Sequence, residues 1–172
     1  QKSYESYRIE NCLLRYLKGN IELIINIGGL CMYNKLLVPT DGSDYSKRAF
    51  EESKKIAQLT GAEVIVLHVV HNPSDYWAYN FSYGLGLNEE TIEKLGQLAI
   101  EVTIGGSNNS VSISTKIRSG NPAAIILDEI KKENIDLVVI GSHGKGFVKD
   151  VLLGSISNRI VQLAPCPVLV TK

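Results

Sequence analysis

Three glycines and two serines near the end of the chain hold a spacing suited to an anion. Gly141-Ser142-His143-Gly144 is followed by nine residues and then by Gly154-Ser155. Glycine lets backbone N–H groups approach a bound oxyanion with no Cβ in the way. A helix starting near Ser155 adds free N–H donors and about half a positive charge at its N-terminus. Ser155 and Ser157 bring hydroxyls to the same place, and Lys145 offers a mobile positive charge. Glycines at a strand end also make ordinary turns; the placement of these between a buried strand and a helix start is what favours phosphate binding.

A second candidate loop is Pro39-Thr40-Asp41-Gly42-Ser43. A carboxylate at Asp41 can accept hydrogen bonds from a ribose or help to hold a divalent ion, although the same residues also read as a helix-capping turn. His68 stands inside the apolar run EVIVLHVV, where a histidine whose hydrogen bonds are met internally is expected rather than a base. His143 lies in the glycine loop, but no carboxylate is placed by sequence to orient it, which argues against general-base work there.

These residues need elements to position them, and the pattern supplies an alternation. KLLV (35–38), closed by Pro39, is a short buried strand. Ser43 or Asp44 caps a helix that turns Ala49, Phe50, Ser53, Ile56 and Ala57 to one face and stops at Gly61. EVIVLHVV (63–70) is β-branched almost throughout, as a strand covered on both faces requires. A long loop over 71–88, a helix over 89–104 weakened by Gly96 and a turn over 105–110 follow. A strand over 111–117 alternates as an edge strand does. Asn121-Pro122 opens a helix that points Ala123, Ile126, Leu127 and Ile130 inward and ends near Asn134. DLVVI (136–140), a helix over 155–163 and PVLVT (167–171) complete the series. Five strands alternating with four helices predict a parallel, doubly wound α/β sheet with helices on both faces. Ligands of such sheets bind beyond the carboxyl ends of the strands, so the loops after Val38, Val69 and Ile140 are the ones that matter.

Composition narrows the classes. The 172 residues carry 18 basic and 18 acidic side chains and are 44% apolar, as in an ordinary globular domain. A neutral balance gives no reason to expect a nucleic-acid or membrane partner. Cys12, Cys31 and Cys166 are too few and too irregular for a disulfide framework or zinc site, which suits a reducing, cytoplasmic setting. Residues 1–31 read differently from the rest. The apolar stretch over 21–30 is too short and too interrupted to span a bilayer, and it lacks a secretory cleavage pattern. Met32 is the single methionine, and the strand pattern starts just after it. The expected division is an N-terminal extension over 1–31, without catalytic importance or else a docking or targeting arm, and one domain over 32–172.

From Met32 onward the chain resembles the ATP-binding branch of the universal stress protein family. The signature G-x-x-G, nine residues, G-[ST] is matched by Gly141, Gly144, Gly154 and Ser155. LLVPTDGS (36–43), EVIVLHVV, DLVVIGSHGKG (136–146) and CPVLVTK (166–172) are similar to the family's strands and loops. The resemblance implies a Rossmann-like sheet of the adenine nucleotide alpha hydrolase type, with strand order 3-2-1-4-5. It implies that Pro39, Thr40, Asp41 and Val69 hold adenosine and that Ile140 and Gly141 close over it. Gly144, Gly154, Ser155, Ile156 and Ser157 would then carry the phosphates of ATP or another adenine nucleotide, with Mg²⁺ or Mn²⁺ whose ligands stay unassigned. It further implies a homodimer through the last strand at Val168, Leu169 and Val170. The aromatic segment with Tyr76, Trp77, Tyr79, Phe81 and Tyr83 departs from the family pattern; it would cover the nucleotide or pack on a partner.

Two functions compete. One is a nucleotide-binding regulatory module of the stress response, which acts as a dimer and on a protein partner still to be identified. The other is a slow Mg²⁺-dependent ATPase. Phosphoryl transfer needs a group to position a water, and the 141–157 loop carries a single acid, Asp150, placed mid-loop. The first function is therefore expected, with no catalytic residue assigned. An ATP-pyrophosphatase ligase domain shares the fold but calls for an SGGxDS-like first loop, which PTDGSD is not.

Overall fold

The computed structural model describes residues 5–9, 12–17, 20–24, 33–71, 89–105, 111–146 and 153–172, the first three segments as backbone strands only. The chain divides into two compact units, Gln1–Met32 and Tyr33–Lys172. In the first, β1 (Glu5–Ile9), β2 (Cys12–Leu17) and β3 (Asn20–Ile24) pair antiparallel in sequence order. No element is expected there from sequence. Doublets such as Leu13-Leu14 and Ile24-Ile25 break the period-two alternation that would have signalled strands.

The second unit is a five-stranded, all-parallel sheet. In chain order its elements are β4 (Lys35–Thr40), α1 (Asp44–Thr60), β5 (Glu63–Val70), α2 (Glu89–Ile104), β6 (Ile113–Ser119), α3 (Pro122–Lys132), β7 (Leu137–Gly141), α4 (Ser155–Leu163) and β8 (Val168–Thr171). The spatial order is β6-β5-β4-β7-β8, which is 3-2-1-4-5 counted within the unit. The expected fold is therefore the observed one.

Alternation along the central strands feeds two cores, one on each face. Leu36, Val38, Val64 and Val66 meet Phe50 and Ile100 on the α1/α2 face. Leu37, Ile65, Leu67 and Val138 meet Ile126, Ile130 and Ile160 on the α3/α4 face. Each helix starts and stops for a local reason. The Ser43 hydroxyl accepts the Ser46 N–H at the start of α1, and Gly61, at φ 75°, ends it in the left-handed region. Asn121 caps α3, with Pro122 in its first turn.

Two expectations shift, and one feature was not expected at all. The third and fourth strands of the unit lie one to two residues later than predicted, at Ile113–Ser119 and Leu137–Gly141. Gly96 does not merely weaken α2. A Cβ there would stand 2.5–2.8 Å from the Ile117 side chain, so the glycine lets α2 lie close on β6. Glu129, unremarked in the sequence, is 1% exposed and is held by Lys116 (2.9 Å) and Arg118 (3.0 Å) of β6. Lys116 also binds Glu133, which in turn meets Lys35 at 3.2 Å, so one ion-pair network ties β4, β6 and α3 together. The aromatic segment over 72–88, most of the turn over 105–110, Cys31 and Asp150 lie outside the described residues.

Candidate functional site

The pairing of β4 with β7 is confined to Leu36↔Leu137 and Leu37↔Val138, while β4 pairs with β5 as far as Thr40↔His68. Pro39 has no N–H with which to extend a ladder. The sheet is thus unladdered where its strand order reverses, beyond the second of those pairs. A cavity of about 350 Å³ opens there, within the roughly 300–1,000 Å³ usual for small-molecule sites. All eleven residues expected at the site line it: Pro39, Thr40, Asp41, Val69, Ile140, Gly141, Gly144, Gly154, Ser155, Ile156 and Ser157.

The wall has two chemical halves, set by topology. On the β5 side, Leu67 and Val69 meet Pro122 and Ile126 from the start of α3, an apolar surface suited to a flat ring. On the β7 side stand the glycine loop and the first turn of α4. Gly154 is the N-cap of α4, with φ −61°, and brings no side chain to the helix N-terminus. The Gly154 N–H is given to the Ser142 carbonyl (2.8 Å), and the Ser157 hydroxyl donates to the Gly141 carbonyl (2.7 Å). Ser157 is therefore buried and internally engaged, although it lines the cavity.

The motif glycines earn their identity in different ways. A Cβ on Gly141 would come within 2.7–2.8 Å of Tyr45, including its backbone carbonyl carbon. A Cβ on Gly144 would run into the Asp41 carboxylate. At Gly154 the nearest atoms lie 3.5 Å away, which is ordinary contact; there the absence of a side chain serves to keep the helix end open.

Asp41 bridges the two loops. Its Oδ1 accepts the Ser43 N–H at 3.0 Å and its Oδ2 accepts the Lys145 N–H at 2.7 Å. Burial alone would push this carboxyl up. Hydrogen bonds from the Ser43 side chain and N–H, the Lys145 N–H and the Ser46 hydroxyl outweigh it and hold the carboxyl below its ordinary value. An ionised Asp41 thus latches the glycine loop to the β4–α1 loop.

His68 follows the sequence reading. His68 Nδ1 lies 2.7 Å from the Thr40 carbonyl, which can only accept, so the proton sits on Nδ1 and the ring serves the backbone. His143 contacts the Ser142 hydroxyl at 3.1 Å and packs against Tyr45 at 5.4 Å between ring centres. Lys145 lines the rim and is exposed. Sequence reasoning missed Ser46, Leu67, Pro122 and Ile126 as lining residues. The rule that points to the carboxyl ends of strands also covers the loop after β6, and would have found Pro122. Among the described residues no cluster of three or more His, Cys, Asp or Glu gathers to hold a metal ion, and no helix is long and apolar enough to cross a membrane.

An open, all-parallel α/β sheet with a cavity at its switch point places the chain in the doubly wound class, in which that position is where ligands are held. Residues 32–172 match the universal stress protein family, and the chain belongs to it. It is 35% identical to Universal stress protein MJ0531 of Methanocaldococcus jannaschii over 161 residues, 93% of this chain and 94% of that one. Since the family domain begins at residue 32, a match of that extent reaches into the segment before Met32. Universal stress protein YxiE of Bacillus subtilis is 32% identical over 148 residues, 82% of this chain and all of that one. Among solved structures, MJ0577 of M. jannaschii superposes with a TM-score of 0.68 at 29% identity, covering 82% of this chain and 96% of that one.

Proposed function

We propose that the chain binds an adenine nucleotide, ATP foremost, in the cavity at the switch point and works as a nucleotide-dependent regulatory dimer. The observation that carries this reading is the convergence on one cavity of an apolar wall and a glycine-lined, uncapped helix start. The residues fit such a ligand. Gly144 lets the loop lie against the Asp41 carboxylate, with which any side chain there would collide, and the N–H groups of the first turn of α4 suit a phosphate. Leu67, Val69, Pro122 and Ile126 would receive the base, and Asp41 a ribose hydroxyl. Gly144, Gly154, Ser155 and Ile156 would surround the phosphates, with Lys145 at the rim. Asp41 is the one carboxylate among the described lining residues, so Mg²⁺ or Mn²⁺ would arrive largely on the phosphates themselves.

Binding rather than turnover is the favoured activity. Asp41 is engaged by two backbone N–H groups, and His143 is packed on Tyr45. With Asp41 assigned to the ribose, no second carboxylate among the described lining residues is left to orient a water for in-line attack. The dimer would form along the open edge at β8, where Val168, Leu169 and Val170 are half-buried.

The test is calorimetric titration with ATP, ADP, AMP and cyclic AMP, each with and without Mg²⁺, followed by phosphate release. Saturable binding with little or no turnover is expected. Failure of every adenine nucleotide to bind would sink the proposal; sustained release lost on Asp41→Asn or His143→Ala would establish the ATPase instead.

A further inference from the structure

We propose that Thr103, which lies on α2 outside the cavity, is a positioning residue for the nucleotide loop and acts through the hydroxyl of Thr40. This rests on the nucleotide-binding reading above.

Thr40 ends β4 and lines the cavity, yet its polar atoms are engaged inside the protein. Its carbonyl accepts His68 Nδ1–H at 2.7 Å. Its hydroxyl oxygen accepts the Gly42 N–H at 3.0 Å and lies 3.0 Å from the Ser46 hydroxyl and 2.5 Å from that of Thr103. The Ser46 hydroxyl can donate to the Ser43 carbonyl (2.9 Å) and the Thr103 hydroxyl to the Ala99 carbonyl (2.8 Å). The single hydrogen of the Thr40 hydroxyl then serves its contacts with Ser46 and Thr103 in turn, so the three hydroxyls form one buried cluster. Thr40 and Thr103 are 7% and 4% exposed, so a hydroxyl that loses its partner there is costly.

The helix also passes close behind the same loop. Gly42 turns at φ 76°, and a Cβ there would lie 3.5–3.7 Å from Ala99 of α2. Between the two anchored residues, Thr40 and Gly42, sits Asp41, the carboxylate that reaches Lys145. The position of Asp41 is thus set from behind by α2, and α2 in turn bears on whatever Asp41 holds. A methyl in place of the Thr103 hydroxyl cannot remain at 2.5 Å from an oxygen. It displaces Thr40, and Asp41 with it.

The test compares ATP affinity and amide hydrogen exchange in the wild type, Thr103→Val, Thr103→Ser and Ser53→Ala. Ser53 is the control. It is a buried hydroxyl on α1 that donates to its own helix at Phe50 (2.7 Å) and lies off this network. We expect Thr103→Val to raise the Kd for ATP about five-fold, the scale of one lost buried hydrogen bond. Thr103→Ser should stay near wild type and Ser53→Ala should leave Kd unchanged. ATP should also slow exchange over residues 99–104 in the wild type, and less so in Thr103→Val. Equal weakening in Thr103→Val and Ser53→Ala, or tight binding by an indifferent Thr103→Val, would overturn the positioning role alone. If Thr103→Val does not fold, the wild type decides, and ATP binding that leaves exchange over 99–104 unchanged would overturn it. No ATP binding by the wild type would remove the nucleotide reading and this role with it.

Discussion

At the residue scale, Asp41 is the side chain on which the site turns, because it joins the β4–α1 loop to the glycine loop. Its folded-state carboxyl is held below the ordinary 3.8. The sign follows from linkage: a depressed folded pKa contributes stability that is present above 3.8 and is lost as pH falls through the folded value. Wild type should therefore exceed Asp41→Asn in stability near neutral pH, with the gap closing as pH falls below 3.8, as read by urea unfolding across pH. A gap that widened in acid would contradict the latch. The three motif glycines were legible as a set, since their spacing is the family signature. Their separate reasons were not: that Gly141 meets Tyr45 and Gly144 meets Asp41 depends on contacts made across 96 and 103 positions of chain, which no local pattern encodes.

At the element scale, the regular parts were legible because their signals are local. Ser43 and Asn121 cap helices through their own side chains, Gly61 ends one, and the run at 63–70 is buried on both faces. Gly96 shows where local signals stop. By helix propensity alone, Gly96→Ala should stabilise α2 by about 1 kcal/mol. The added methyl would meet Ile117 at 2.5–2.8 Å, so we expect a net loss of roughly 1–2 kcal/mol instead. Adding Ile117→Val should recover part of that loss, measured as a shift in denaturant midpoint at constant slope. A stabilised single variant would show that α2 can move away from β6 at no cost. The lining by Pro122 and Ile126 was hidden for a related reason: a residue at a helix start and another on its inward face look like cap and core until the strand beside them ends.

At the scale of the whole molecule, β8 is an edge strand of the five-stranded sheet, and the proposed dimer would form along it. The carbonyls of Pro167 and Thr171 accept the N–H groups of Val138 and Ser142. With parallel strands bonding to a given neighbour at alternate residues, the backbone groups of Val168 and Val170 face the open edge. Val170→Pro should thus remove a donor from the dimer contact while sparing the ladder to β7. Sedimentation is expected to report a dimer for the wild type and a monomer for the variant; an unchanged dimer would place the interface elsewhere. The segment over 1–32 forms a compact unit of its own, and the extent of the match to MJ0531 takes in part of it. The central claim, that the switch-point cavity holds ATP through its glycine loop, is tested most directly by thermal unfolding of the wild type and Gly144→Val with saturating ATP and Mg²⁺. At about one hundred times its Kd, a ligand stabilises the folded state by about 2.7 kcal/mol, which for a chain of this size is a rise in Tm of roughly 5–10 °C. The wild type should show that rise and Gly144→Val should melt cooperatively without it; an equal rise in both, or none in the wild type, would contradict the account.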